Sequence, residues 1–115
     1  MASVRGEALD TSVFRDIMST IPAPVTVVTA VDADGRPYGL TAIAFCSVSL
    51  EPPLCSICVD KNSRTLPIIR AANRFVVNLL DASQEQIARQ FASKADDKFA
   101  GVDWNPGRAT RQPVL

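Results

Sequence analysis

An α+β fold with a mainly antiparallel sheet is predicted by three features of this chain. Short β-rich runs follow one another through links that carry Gly or Pro, which suits hairpins. Helix-period stripes stand at the beginning, the middle and the end of that series rather than after every strand. The 115 residues are 47% hydrophobic, enough for one domain with its own core.

The elements can be justified in order. Residues 1–9 are expected to form a flexible tail and residues 10–115 the domain. Asp10 or Thr11 can cap a helix whose apolar residues Val13, Phe14, Ile17, Met18 and Ile21 make one stripe, ended by Pro22 and Pro24. Val25 to Val31 is β-branched and reads as a strand. Asp32 to Gly35 reads as a hairpin turn, with Gly35 free to take a positive φ. Tyr38 to Leu50 is a long extended run, bent or bulged in the middle, and Glu51-Pro52-Pro53 turns it into a strand from Leu54 to Val59. A second helix starts near Thr65, carries Pro67 in its first turn and ends at Asn73 in a left-handed conformation. Phe75 to Leu80 is a strand. Ser83 to Gln86 fits a capping box, with Ser83 as cap, for a third helix that buries Ile87, Ala88, Phe91 and Ala92. Beyond Ser93 the chain is irregular until Pro113-Val114-Leu115, which reads as the approach to another strand.

Composition excludes several function classes. Twelve basic and twelve acidic residues leave no net charge, hence no overall field for nucleic acid or an anionic membrane. No apolar run reaches membrane-span length and the first ten residues lack a signal-peptide core, so a cytoplasmic protein is expected. Without histidine there is no His-based triad or metal site in these residues, and any chemistry falls to a bound cofactor. Cys55 and Cys58 form a CxxC, but no second pair completes a zinc site, and with Cys46 they read as buried packing.

Two motifs suggest a nucleotide-like ligand. Gly39-Leu40-Thr41-Ala42-Ile43-Ala44 is a strand of mostly small side chains, able to let a planar ring lie against the backbone or simply to pack tightly. Asp60 to Thr65 brings Ser63 and Thr65 hydroxyls, the Arg64 guanidinium and a helix start together, which suits a phosphate or an ordinary capped turn. It lacks the glycines and the GK[ST] ending of a P-loop. Lys94, in the Ser93–Phe99 segment, can supplement an anion site, while Trp104 reads as core or interface.

Taken together, GLT with F-x-SVSLEPPL, S-R-T, F-V-V-N and KFAGVDW make the chain from about Phe14 to Leu115 resemble the flavin reductase-like domain family, the FMN-binding split barrels that include reductase components of two-component flavin monooxygenases. The resemblance implies an antiparallel split β-barrel with flanking helices, of which this chain holds the N-terminal two-thirds and lacks the last strands. It implies a homodimer that binds FMN or FAD at its interface and takes hydride from NADH or NADPH. It also implies a flavin-dependent monooxygenase component as partner. By the same resemblance, Gly39, Thr41, Ala42, Ile43 and Ala44 line the flavin ring, and Cys58, Val59 and Asp60 lie beside the ribityl chain. Ser63, Arg64 and Thr65 approach the phosphate, with Gln90, Phe91 and Lys94 near the flavin tail. Ile43 and Ala44 stand where relatives often carry Ser, which shifts the ring's polar contacts to backbone N–H groups. A later GDH segment, with a histidine near the nicotinamide, has no counterpart in these residues. The implied activity is therefore flavin reduction. The alternatives are a flavin-binding module or fragment without turnover, and a split barrel that uses a deazaflavin.

Overall fold

The computed structural model describes residues 8–115, so most of the expected tail at 1–9 lies outside the described residues. Helix α1 spans Thr11–Ser19, with the Asp10 carboxylate accepting from the Ser12 N–H. Strands β1 (Thr26–Val31) and β2 (Pro37–Ala42) form an antiparallel hairpin around Gly35, whose φ is +80°. The extended run then breaks at Ile43-Ala44, as expected, and resumes as β3 (Phe45–Ser49), which pairs with β4 (Leu54–Ile57) through a register shift between Ser47 and Ser49. Helix α2 (Thr65–Ala72) ends on Asn73 at φ 53°. Strand β5 (Val76–Leu79) returns beside β1. Helix α3 (Glu85–Ala92) follows a short 3-10 turn, and β6 (Asn105–Pro106) with β7 (Pro113–Val114) closes the chain.

The main sheet has the order β2-β1-β5, all antiparallel. Its central strand is buried from Thr26 to Ala30, in keeping with a run that is β-branched on both faces. Val27, Phe91 and Phe99 form the core, flanked by Leu80, Ile87, Val102, Trp104 and Leu115. Phe99 meets Phe91 edge-on at 4.8 Å and Trp104 at 6.0 Å, so Trp104 belongs to the core. Helices α2 and α3 both pack on the β1–β2 hairpin.

A side-chain latch holds the end of the chain on the sheet. The Asn78 amide donates to the Val27 carbonyl at 2.9 Å and accepts from the Leu115 N–H at 3.0 Å. Gln112 accepts from the Val31 N–H at 2.8 Å, and the Thr29 hydroxyl donates to the Pro113 carbonyl. Each buried side-chain polar atom among the described residues thus has a partner, which is what makes its burial tolerable.

Several expectations need correction. The cap of the third helical segment is Asp81, with Gln84 reaching back to its N–H, two residues ahead of the Ser83–Gln86 box. Ala92 is exposed, and only Phe91 of α3 is fully buried. Cys46, Cys55 and Cys58 are exposed rather than packed, because no layer covers the β3–β4 ribbon among the described residues. That the sheets do not close into a barrel among those residues is, by contrast, as expected. The stripe of α1 faces outward, with Phe14 and Ile17 each 53% exposed. No helix among the described residues is long and apolar enough to cross a membrane.

Candidate functional site

Two adjoining clefts lie along β2, the loop before α2, the end of α3 and the turn after it. The smaller, about 350 Å³, is walled by Leu40, Thr41, Ala42, Ile43 and Ala44, with Cys58 and Val59 across from them and Phe91 and Ala92 at its back. The larger, about 1140 Å³, is open and lined by polar and charged groups, among them Ser63, Arg64, Lys94 and Asp96. Asp60, Ser63, Ala92 and Lys98 line both, so the two form one continuous depression.

The local chemistry explains the shape. The ladder of β1–β2 ends at Ala42 and that of β3–β4 begins at Phe45, so the N–H groups of Ile43 and Ala44 fall outside both ladders. The Ala44 carbonyl is taken by the Cys58 N–H at 3.1 Å, which brings Cys58 to the wall. At Gly39 a Cβ would lie 2.7 Å from Cε1 of Phe91, so only glycine lets α3 approach β2 this closely. As β2 is an edge strand, its outward carbonyls need partners. The Thr65 hydroxyl and the Lys98 ammonium each donate to the Gly39 carbonyl at 3.2 Å. Burial, and secondarily the nearby Arg64 charge, lowers the Lys98 pKa below the ordinary lysine value of 10.5.

Most of the residues expected at a flavin site come together here. Thr41, Ala42, Ile43, Ala44, Cys58, Val59 and Phe91 line the smaller cleft, and Gly39, Arg64, Thr65 and Lys94 the larger. Thr41 turns its hydroxyl to the Ala88 carbonyl at 2.6 Å, tying β2 to α3. Thr65 is 3% exposed, so its hydroxyl serves the fold more than the cleft. Ser63 accepts from the Thr65 N–H at 3.2 Å. Gln90 lines neither cleft; its amide donates to the carbonyls of Lys98 and Ala100, both at 2.8 Å, and shapes the turn that carries Lys98. Sequence reasoning missed Lys98, together with Asn62, Ser93 and Asp96. A signal for Lys98 was present, since it precedes a phenylalanine whose burial draws the turn inward.

Among the described residues no cluster of His, Cys, Asp and Glu has metal-holding geometry. The donors present are hydroxyls, amides and cations, which suit a planar ring with an anionic tail. The fold and site thus define a small antiparallel α+β module with a nucleotide-sized cleft on the face of its edge strand.

The chain belongs to the flavin reductase like domain family, whose description matches residues 18–115. It is 43% identical to a flavin reductase (NADH) of Kitasatospora aureofaciens over 107 residues, covering 93% of this chain and 56% of that protein. It is 41% identical over 98 residues to the flavin-dependent monooxygenase reductase subunit HsaB of Mycobacterium tuberculosis, covering 85% and 52%. Among solved structures it superposes on an NADH:FAD oxidoreductase of Streptomyces globisporus, determined with NAD and FAD fragments. That match has a TM-score of 0.84 at 38% identity and covers 96% of this chain and 67% of that one. The chain spans about half the length of the curated relatives it matches.

Proposed function

We propose that the protein is a NAD(P)H-dependent flavin reductase that moves hydride onto FMN or FAD and supplies reduced flavin to a partner monooxygenase. One observation carries this reading: a ring-sized cleft walled by Leu40–Ala44 opens directly into a larger cleft lined by cations. The family, and the names of relatives that are reductases and reductase subunits, support the same conclusion.

A bound flavin would supply the two-electron chemistry, accepting hydride from the nicotinamide. The residues of this chain bind and orient it. Leu40 to Ala44 and Val59 give the ring its wall, and the N–H groups of Ile43 and Ala44 stand free of both ladders to meet its polar edge. Cys58 and Asp60 lie along the path toward the tail, and Ser63, Arg64, Thr65 and Lys94 border the anion end. Phe91 backs the ring cleft, and Gln90 acts one step away by shaping the turn at Lys98. No side chain of this chain has to act as a general acid or base, because the bound flavin and the nicotinamide would supply the redox chemistry and the protein would only orient them.

A homodimer completes the reading. The outward stripe of α1 and the uncovered β3–β4 ribbon expose Val13, Phe14, Ile17, Val48 and Leu54, apolar surface that a second copy would bury. A cytoplasmic setting fits the dependence on nicotinamide nucleotides. Anaerobic mixing with NADH and FMN tests the proposal: the flavin absorbance bleaches. Tight flavin binding without bleaching would instead establish a binding module, and absence of flavin binding by the folded protein would remove the reading.

A further inference from the structure

The cations around the larger cleft are not equally available. Arg64 is already satisfied: Nη1 bonds the Asp96 carboxylate at 2.8 Å, and Nη2 bonds the carbonyls of Lys94 at 2.8 Å and Ala95 at 3.1 Å. Those contacts place the guanidinium as a brace for the 94–96 loop, with its charge met by a carboxylate. Arg36 likewise bonds the Asp96 carbonyl and lies over the Tyr38 ring, 5.4 Å from its centre. Lys94 is exposed, where solvent and salt screen it.

Lys98 is different. The residue is half-buried, it lines both clefts at their junction, and its ammonium donates to the neutral carbonyl of Gly39. Burial disfavours its charged form, and the Arg64 charge, of the same sign, adds to that effect. Among the described residues Lys98 has no ion-pair partner, and a half-buried cation so placed is one that a bound anion would stabilise. The Asp60 carboxylate, also on both clefts, is exposed and accepts from the Asn62 N–H at 2.8 Å.

We propose that Lys98 is the principal ligand of the flavin nucleotide's phosphoryl group, and that Arg64 is a positioning residue which holds the 94–96 loop. The proposal rests on the flavin reading above and assigns the charged contact within it. It reverses the simplest expectation from the sequence, in which the S-R-T motif supplies the cation. The position of Lys98 at the junction means that the phosphoryl group sits close to the ring cleft, with the remainder of the larger cleft beyond it.

Riboflavin, which has the ring and no phosphate, separates the two parts of the site. Riboflavin and FMN are titrated into the full chain and into its Lys98→Gln, Lys98→Arg and Arg64→Gln variants, by quenching of flavin fluorescence. Lys98→Gln is expected to reduce the preference for FMN over riboflavin about tenfold to a hundredfold, as loss of a charge-assisted hydrogen bond implies. Lys98→Arg retains most of that preference, and Arg64→Gln lowers it less than Lys98→Gln does. An unchanged preference in Lys98→Gln, an equal loss for both flavins, or a larger loss in Arg64→Gln would each overturn the assignment while leaving flavin binding in place. If the folded wild-type chain binds neither flavin, the flavin reading itself falls, and this assignment with it.

Discussion

Replacing Gly39 by alanine tests whether the close approach of α3 to β2 builds the cleft. The added Cβ would lie 2.7 Å from Cε1 and 2.8 Å from Cδ1 of Phe91, and 3.2 Å from the Val28 carbonyl oxygen. Phe91 is fully buried against Phe99, so its rigid ring cannot swing into solvent as an exposed chain end would. Either the helix moves off the strand or the ring leaves its rotamer. Overpacking of this kind costs roughly 1–3 kcal/mol. At an unfolding entropy of about 2.1 cal/mol/K per residue, a domain of this length loses about 4 °C in Tm per kcal/mol. The expected fall is therefore about 4–12 °C by calorimetry or circular dichroism. The double variant Gly39→Ala with Phe91→Leu provides a second readout. The smaller side chain vacates the space the methyl needs, so the two changes together should cost less than their sum by at least about 0.5 kcal/mol. A Gly39→Ala variant as stable as wild type, or strict additivity in that cycle, refutes the packing argument.

Other consequences can be measured directly. Thr65→Val removes one of the two donors to the Gly39 carbonyl while Lys98 still bonds it, so urea unfolding should show a loss of about 0.5–1.5 kcal/mol and no more. Asn78→Leu removes the amide's bonds to the Val27 carbonyl, the Thr29 hydroxyl and the Leu115 N–H, and should cost roughly 1–3 kcal/mol in the same assay. The carboxyls of Asp10 and Asp81 are held below the ordinary aspartate value of 3.8, first by the Ser12 and Ser83 hydroxyls and then by the backbone N–H groups of those serines. Their contribution is thus present above that value and lost as pH falls through their lower folded values. Far-UV circular dichroism should show helix ends fraying as pH drops below about 3.8, and a doubly substituted Asp10→Asn, Asp81→Asn protein should show a flatter acid limb.

Much of the scaffold was legible because its signals are local. Pro67 and Asn73 bracket α2 by backbone chemistry that acts within a few residues, and Gly35 marks its turn in the same way. The β-branched run VTVVTAV announced a strand, and the structure adds that it is buried from Thr26 to Ala30. The cap before α3 was misplaced because Asp81–Gln84 and Ser83–Gln86 both satisfy the spacing; an intervening 3-10 turn decides between them, and pattern alone does not show it. The exposed cysteines were misread because their burial depends on a layer over β3–β4 that residue types do not specify. At the candidate site, the wall of the smaller cleft and the loop before α2 could be read from composition and resemblance. The roles of Gln90, Arg64 and Lys98 could not, since each depends on which carbonyl or carboxylate the folded turn at 94–100 presents.

The attachment of β7 bears on the order in which the chain assembles. This strand spans two residues, and its hold on the sheet comes largely from Asn78, Gln112 and Thr29. The acceptors and donors that hold it are brought together by the pairing of β1 with β5, so this short strand docks on a surface that the longer strands build. Unfolding should run the other way. Under native conditions the amide hydrogen of Leu115 should exchange by local detachment, well ahead of the amides of β1, which wait for the whole domain to open. Since Trp104 and Phe99 are packed in the same core as Leu115, such detachment should also loosen the 94–100 turn, in which Lys98 lies.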